Sequence, residues 1–520
     1  MPLRLAAAIV GLLFSVASSA ADLSIALAAD VTSIDPHYHN FTPNSNVAEH
    51  IFETLVTKDP RSRLKPALAE SWRNVDDLTW EFTLRKGVKF HNGADFTAAD
   101  VVFSLDRVAL VQNSPGPFTL YTKQITAMII VDPYTVRLKT AAPYPLMPND
   151  MSTIFIVSSS VAKGATIEDF NSGKATIGTG PFKFVRYARG DRIELARFDA
   201  YWGVKPAWDK VTFRLIANDP SRVAALLAGD VHAVENVPTA DLARLSKNPD
   251  IMISRAISHR VMFLHLDSNR DKSPFVTDRA GKPLDRNPLK DVRVRRAISK
   301  AINRPALVER VMEGAAVATG QLMPDGMFGY TSALRPERYD PDGAKELLTE
   351  AGYTEGFALT LHGPNDRYVN DDQICQAIAQ MLTRIGIVTK VETAPSSVYF
   401  SRATKLDFSF MLVGWAADTA EASSPLKSLL ATFDGKKGMG TANRGRYSNL
   451  KLDALLDQAL ATVDDAKREK LLQEATEFGI GELGIIPLYH QVNLWATRKG
   501  IVYTPRTDER TLAHEFKPVN

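Results

Sequence analysis

The chain has 520 residues, 45% apolar and 23% charged, an ordinary globular balance in a length that exceeds what one hydrophobic core supports. With 62 basic residues against 59 acidic the formal charge is +3 and no basic run stands out, so nucleic-acid binding has no electrostatic footprint. Cys375 is the only cysteine, which excludes an internal disulfide and leaves core burial to hold the lobes together.

The elements then follow in chain order. Arg4, the apolar run Leu5 to Val16 and the small residues Ser18-Ser19-Ala20-Ala21 read as a secretory signal peptide cleaved after Ala20 or Ala21. It is too short for a membrane span and has no cysteine at the cleavage point for a lipid anchor. An exported, soluble protein is expected. Leu23, Ile25 and Leu27 alternate as a half-buried strand, and Asn46 to Leu55 reads as a helix. A β-rich region follows: Trp80, Phe82 and Leu84 alternate, Lys86-Gly87 turns, Val88 and Phe90 continue the strand, and Asn92-Gly93 turns again. Thr97 and Asp100 form an acidic capping box for a helix carrying Val101, Leu105 and Val108. Val136 and Leu138 suggest a strand.

A second block opens at Gly178-Thr179-Gly180-Pro181, a turn without the lysine of a phosphate loop. Phe182 and Phe184, a turn at Gly190-Asp191, then Ile193 and Leu195 predict a hairpin. Asp219-Pro220 starts a helix that Gly229 ends. In the third block helices start at Asp291, Asn303 and Asp340-Pro341. A β-α-β-α-β run succeeds them: strand Phe357 to Leu361, helix Asp371 to Ile385, strand Ile387 to Val391, helix Ser396 to Lys405, strand Asp407 to Val413. Phe408, Phe410, Met411, Leu412 and Val413 are the continuous apolar run of a strand covered on both faces. Open α/β sheets bind ligands beyond the carboxyl ends of their strands. If the strands are parallel, one crevice is lined by Asn365, Arg367 and Tyr368 from one loop and by Gly414, Trp415 and Asp418 from the other.

Ala67-Leu68-Ala69-Glu70-Ser71-Trp72, then Trp80 to Gly93, Gly178 to Phe182, Tyr201-Trp202, Asp291 to Ala297 with Ala301-Ile302, and Gly414-Trp415 together resemble family 5 of the extracellular solute-binding proteins. These are the peptide/nickel-type binding proteins of ABC importers. The resemblance implies a bilobal α/β type II periplasmic-binding fold, two lobes joined by a hinge plus a smaller inserted domain. The expected division is 1–20 signal peptide; 21–55, 178–265 and 487–520 lobe I; 56–177 the inserted β-rich domain; 266–486 lobe II, with crossings near Leu264 to Asp267 and Ile485 to Leu488. It also implies a periplasmic, monomeric, non-enzymatic protein that captures a short peptide or peptide-like solute (dipeptide, oligopeptide or glutathione-like). No cofactor, metal or nucleic acid is expected, and the partners are membrane permease subunits with a separate ATPase.

Asp418 matches the aspartate with which the dipeptide branch holds a ligand amino group. That branch's carboxylate-binding arginine is replaced by Asp372 or Gln373, for which Arg367, a few residues earlier, is a substitute. The following stretch, Thr419 to Ser424, is closer to the glutathione-type branch. Trp415 is read as cleft wall. His37-Tyr38-His39 has the alternation that lets two imidazoles converge, yet no third or fourth metal ligand stands at a diagnostic spacing, so His37 and Tyr38 are taken as cleft-bordering. Cys375 sits beside the apolar stripe of its helix and reads as a structural thiol. Three rivals stand beside this reading: the same fold binding an opine, an oligosaccharide or a metal or haem complex, a periplasmic hydrolase, and a chemosensory protein of the same fold that presents its ligand to a receptor. For the hydrolase the Gly-x-Ser-x-Gly and His-Glu-x-x-His motifs are missing.

Overall fold

The computed structural model describes residues 21–519, so the expected signal peptide lies outside the described residues. A 12-stranded mixed sheet runs through the molecule. Its order begins Phe182–Ala188, Arg192–Arg197, Lys210–Leu215, Asp22–Leu27, Ala233–Glu235. It continues through two long strands, Ile486–Arg498 and Ile251–Leu266, into Phe410–Ala416, Phe357–Pro364 and Val276–Thr277. The long pair is the spine from which an α/β lobe extends on either side, giving a bilobal α/β fold.

Each half of the sheet is covered on both faces. In the first lobe, Leu23, Ile25 and Leu27 face one cluster while Ala26 faces the other. In the second lobe, Leu412 and Phe410 enter one cluster, Met411 and Val413 the opposite one. Two-sided cover explains why this strand is continuously apolar whereas Asp22–Leu27 alternates only at its start. With no cross-link in the chain, these clusters hold the lobes, each buried Leu or Phe contributing about 1.5–3 kcal/mol.

A smaller unit around residues 64–140 carries its own core on a four-stranded antiparallel sheet, Ala69–Asp76, Thr79–Leu84, Thr135–Thr140, Ile125–Asp132. Helix Ala98–Val108 packs there, its Thr97 amide donating to the Asp100 carboxylate at 3.0 Å as the capping box requires. Such a cap contributes about 1 kcal/mol. Val88 and Phe90 correct the expectation of a continued strand. They are buried in this core, but only Lys89 and Asp95 make a bridge, because the Phe90 amide turns back to Ala94. The helix expected over Asn46 to Leu55 is displaced to Thr42–Ile51, since Phe52 is extended and Glu53–Thr54 pairs with Phe155–Ile156.

The β-α-β-α-β run is Phe357–Pro364, Asp371–Thr383, Ile387–Ala394, Ser396–Thr404, Phe410–Ala416. Cys375 lies wholly buried on the Ile374, Ile378, Leu382 stripe, and burial pushes its thiol far above the ordinary range.

Candidate functional site: the crevice at the strand crossing

Ile251–Leu266 pairs with Ile486–Arg498 antiparallel, and the register slips between Ile257 and Val261. Beyond the slip Arg260–Leu266 also pairs with Phe410–Ala416, so the bulge marks the passage from one lobe to the other. Ser258, His259 and Arg260 in the bulge are all buried. The segment after the last long strand folds back over them. The His259 amide donates to the Thr507 carbonyl at 3.1 Å, and the Ser258 hydroxyl donates to Glu509 at 2.9 Å. The Arg260 guanidinium forks onto Glu509 at 3.0 and 2.9 Å. Burial alone would raise the Glu509 carboxyl, but Arg260 overrides it and holds it at about 2.

Strands Phe357–Pro364 and Phe410–Ala416 are parallel, His362 standing opposite Met411, so their following loops open at one edge of the sheet. The second loop presents Asp418, whose side chain is 67% exposed. Asp418 faces a cavity of about 100 Å³ whose other walls include Glu49, Lys58, Asp508 and Arg510, with His259 at its base. A second cavity of about 230 Å³ adjoins it, sharing Glu49, Thr57, Lys58 and Phe155. Lys58 Nζ donates to the Asp418 main-chain oxygen at 2.6 Å, and Asn149 Nδ2 to that of Thr419 at 2.6 Å. Both bonds join the Asp418 loop to the facing half. Burial lowers the Lys58 ammonium, against the pull of Asp418 and Asp508, and burial raises the Glu49 carboxyl, against the pull of Arg510. Asp508 is already committed to Arg506 at 2.6 Å.

The residues expected from sequence divide in two. Gly414 and Tyr368 meet on the strand that leads to Asp418, but neither they nor Trp415 line the Asp418 cavity, and Tyr368 lines the one that Arg367 lines. The Tyr368 hydroxyl donates to the Gly414 carbonyl at 3.1 Å, and a Cβ on Gly414 would stand 2.8 Å from the Tyr368 ring. Trp415 is half-buried against the lobe core, its indole N–H donating to Ser424 at 3.2 Å. Arg367 is not beside Asp418. It is exposed and lines a separate cavity of about 610 Å³ that also reaches Arg260 and Glu509. Asn365 is exposed, its amide held by the Ala394 carbonyl.

His37 is a correction. Its ring is fully buried; Arg107 donates to Nδ1 at 3.1 Å and Nε2 donates to the Phe155 carbonyl at 2.7 Å. Both nitrogens are thus committed, and burial depresses the ring's pKa to about 4. Tyr38 is half-buried with its edge against His39, and Asn40 is the member of this loop that lines the Asp418 cavity. Among the described residues no group of three or more His, Cys, Asp or Glu is placed to hold a metal ion, and no helix is long and apolar enough to cross a membrane.

Sequence reasoning missed Lys58, Glu49, His259, Asp508 and Arg510. The charged run Arg506 to Arg510 was visible, but nothing local says that it returns across the bulge.

The sequence profile of the bacterial extracellular solute-binding proteins, family 5, matches residues 63–437. The glutathione-binding protein GsiB of Escherichia coli K12 is 31% identical over 493 residues, 92% of this chain and 90% of that protein. The Helicobacter pylori periplasmic binding protein DppA, solved with the peptide STSA, superposes with a TM-score of 0.75 at 25% identity, covering 96% of this chain and 98% of that one. AgaA of Agrobacterium tumefaciens R10, solved with agropinic acid, gives 0.74 at 26% identity over 96% and 99%. These relatives bind solutes; they are not enzymes. The chain belongs to family 5 of the bacterial extracellular solute-binding proteins, as a periplasmic small-solute-binding protein of an ABC transporter.

Proposed function

We propose that the protein captures a short peptide-like zwitterion of the glutathione class and hands it to membrane permease subunits driven by a separate ATPase. The observation that carries this reading is Asp418 on one lobe opposing Lys58 and Arg510 across a single cavity. An ammonium at Asp418 and a carboxylate toward the two cations would each find an opposite charge. Glutathione, a γ-linked tripeptide with one ammonium and two carboxylates, suits that polarity, and GsiB relatives carry the name of a glutathione-binding protein. Closure about the bulge would bury these charges, so a solute lacking the matching charge leaves one unpaired and binds poorly.

Calorimetry with glutathione and short peptides tests the reading. Asp418→Asn removes one charge-assisted hydrogen bond and is expected to weaken binding about 10- to 100-fold. Unchanged affinity in that variant overturns it, as does turnover of the bound peptide. An opine is the second reading, favoured by the likeness to AgaA, and the same titration with agropinic acid decides between them.

A further inference from the structure

His259 is the one histidine at the base of the Asp418 cavity, and nothing in the pairing of the strands requires an imidazole there. The residue is 3% exposed and its Nδ1 has no hydrogen-bond partner. Its Nε2 stands 3.7 Å from Asp418 Oδ1, short of a hydrogen bond but within the range of an ion pair once the ring is charged. The other charges around it are mostly spoken for. Among the carboxylates, Glu509 is forked by Arg260, the next residue on the His259 strand, Asp508 is paired to Arg506, and Glu49 stands 3.8 Å from Arg510. His490, on the neighbouring strand, is buried and its pKa is depressed to about 4, chiefly by burial. Lys58 points its ammonium at the main chain of residue 418, leaving the Asp418 carboxylate itself free.

We propose that His259 is a proton-operated competitor for Asp418: an imidazolium there and a ligand ammonium are alternative occupants of one carboxylate, so the crevice takes its ligand only while the ring is neutral. This rests on the assignment of Asp418 as the ammonium anchor. Two cations against one carboxylate in a closed, poorly hydrated crevice repel each other, which makes joint occupancy unfavourable. The sign follows. Burial holds the ring's pKa below its ordinary value, with Asp418, Glu509 and Asp508 pulling upward against burial and Arg260. A bound ammonium neutralises Asp418 and lowers it further. Affinity is therefore full on the alkaline side of the free protein's His259 titration and falls with acid, by up to tenfold per pH unit. Ligand capture expels a proton wherever the free ring is partly charged.

The test uses the full mature protein, glutathione as probe, and calorimetry from about pH 8 to about pH 4.5 in buffers of different ionisation enthalpy, a range that spans the ordinary His pKa. Wild type is expected to release a fraction of a proton per ligand on the acid side, with affinity falling as that fraction rises. His259→Gln, checked for folding by its melting curve, is expected to lose that proton release and the fall of affinity with acid, whatever its affinity at about pH 8. His259→Asn serves if the glutamine variant does not fold. An N-acetylated glutathione is the second control, since without an ammonium it has no stake in Asp418. Proton release identical in wild type and the His259 variants overturns the inference while leaving Asp418 as the anchor. Equal binding by Asp418→Asn and wild type overturns the anchor itself, and the inference with it.

Discussion

The two sides of the crevice use charge in opposite ways. On the hinge side every ionic group has a neighbour: Arg260 with Glu509, Arg506 with Asp508, each pair at 2.6–2.9 Å and largely buried. On the rim, Asp418 presents an exposed carboxylate and Lys58 gives its ammonium to a carbonyl oxygen, with no carboxylate partner among the described residues. A satisfied buried pair costs most when one member is removed, whereas an exposed, uncommitted charge contributes almost nothing to folding and stays available to a solute. Around one crevice, the charges that hold the fold are thereby different from the charges left free to meet a solute.

Removing one partner on the hinge side tests this most severely. Arg260→Leu strands Glu509 and is expected to cost about 3–5 kcal/mol in urea unfolding, while Asp418→Asn shifts the midpoint by less than about 0.5 kcal/mol. Comparable losses in the two would erase the distinction. Acid sharpens it next. Glu509 is depressed to about 2 in the folded protein, so its contribution is complete above its unfolded value near 4.5 and is lost as pH falls through about 2. Unfolding curves across that window should flatten by about 3 kcal/mol in Glu509→Gln relative to wild type, with both compared to their own neutral-pH values.

Intermediate in size is Gly414→Ala. The added methyl meets the Met262 sulfur at 2.5 Å and the Tyr368 ring at 2.8 Å, so overpacking of about 1–3 kcal/mol is expected with weakened ligand binding. The smallest effect is assigned to Arg367→Ala. This exposed arginine lines the larger neighbouring cavity, so affinity should stay within about twofold; a loss of tenfold would move the solute's carboxylate to that cavity.

Much of the fold was readable because its helices are punctuated. Asp340 caps Pro341–Glu350 and Gly229, at φ 86°, ends Asp219–Ala228, each a local signal. Ile251–Leu266 was not readable as one strand. Its first half is irregularly half-exposed and its second half is buried throughout, so no single period spans it. The site split in the same manner. Asp418 follows a strand whose continuous apolar run announces two-sided burial, and the proposed ligand edge follows from that. Lys58, His259 and Arg510 reach the cavity from three distant stretches, a proximity set by chain crossings that no local pattern encodes. His37 misled for the converse reason: its polarity suggested a rim, but Arg107 and the Phe155 carbonyl supply both of its hydrogen bonds in the interior.

The route of the long spine has a consequence for assembly. Ala233–Glu235 is joined on one side by Asp22–Leu27 and on the other by Ile486–Arg498, so the first lobe's sheet is complete only when segments some hundreds of residues apart have met. Strands Phe357–Pro364, Ile387–Ala394 and Phe410–Ala416 come from one short stretch and have no such wait. Closing large loops is slow because entropy is lost before contacts repay it. The second lobe is therefore the natural early folding unit, and the crevice comes into being with the final docking step.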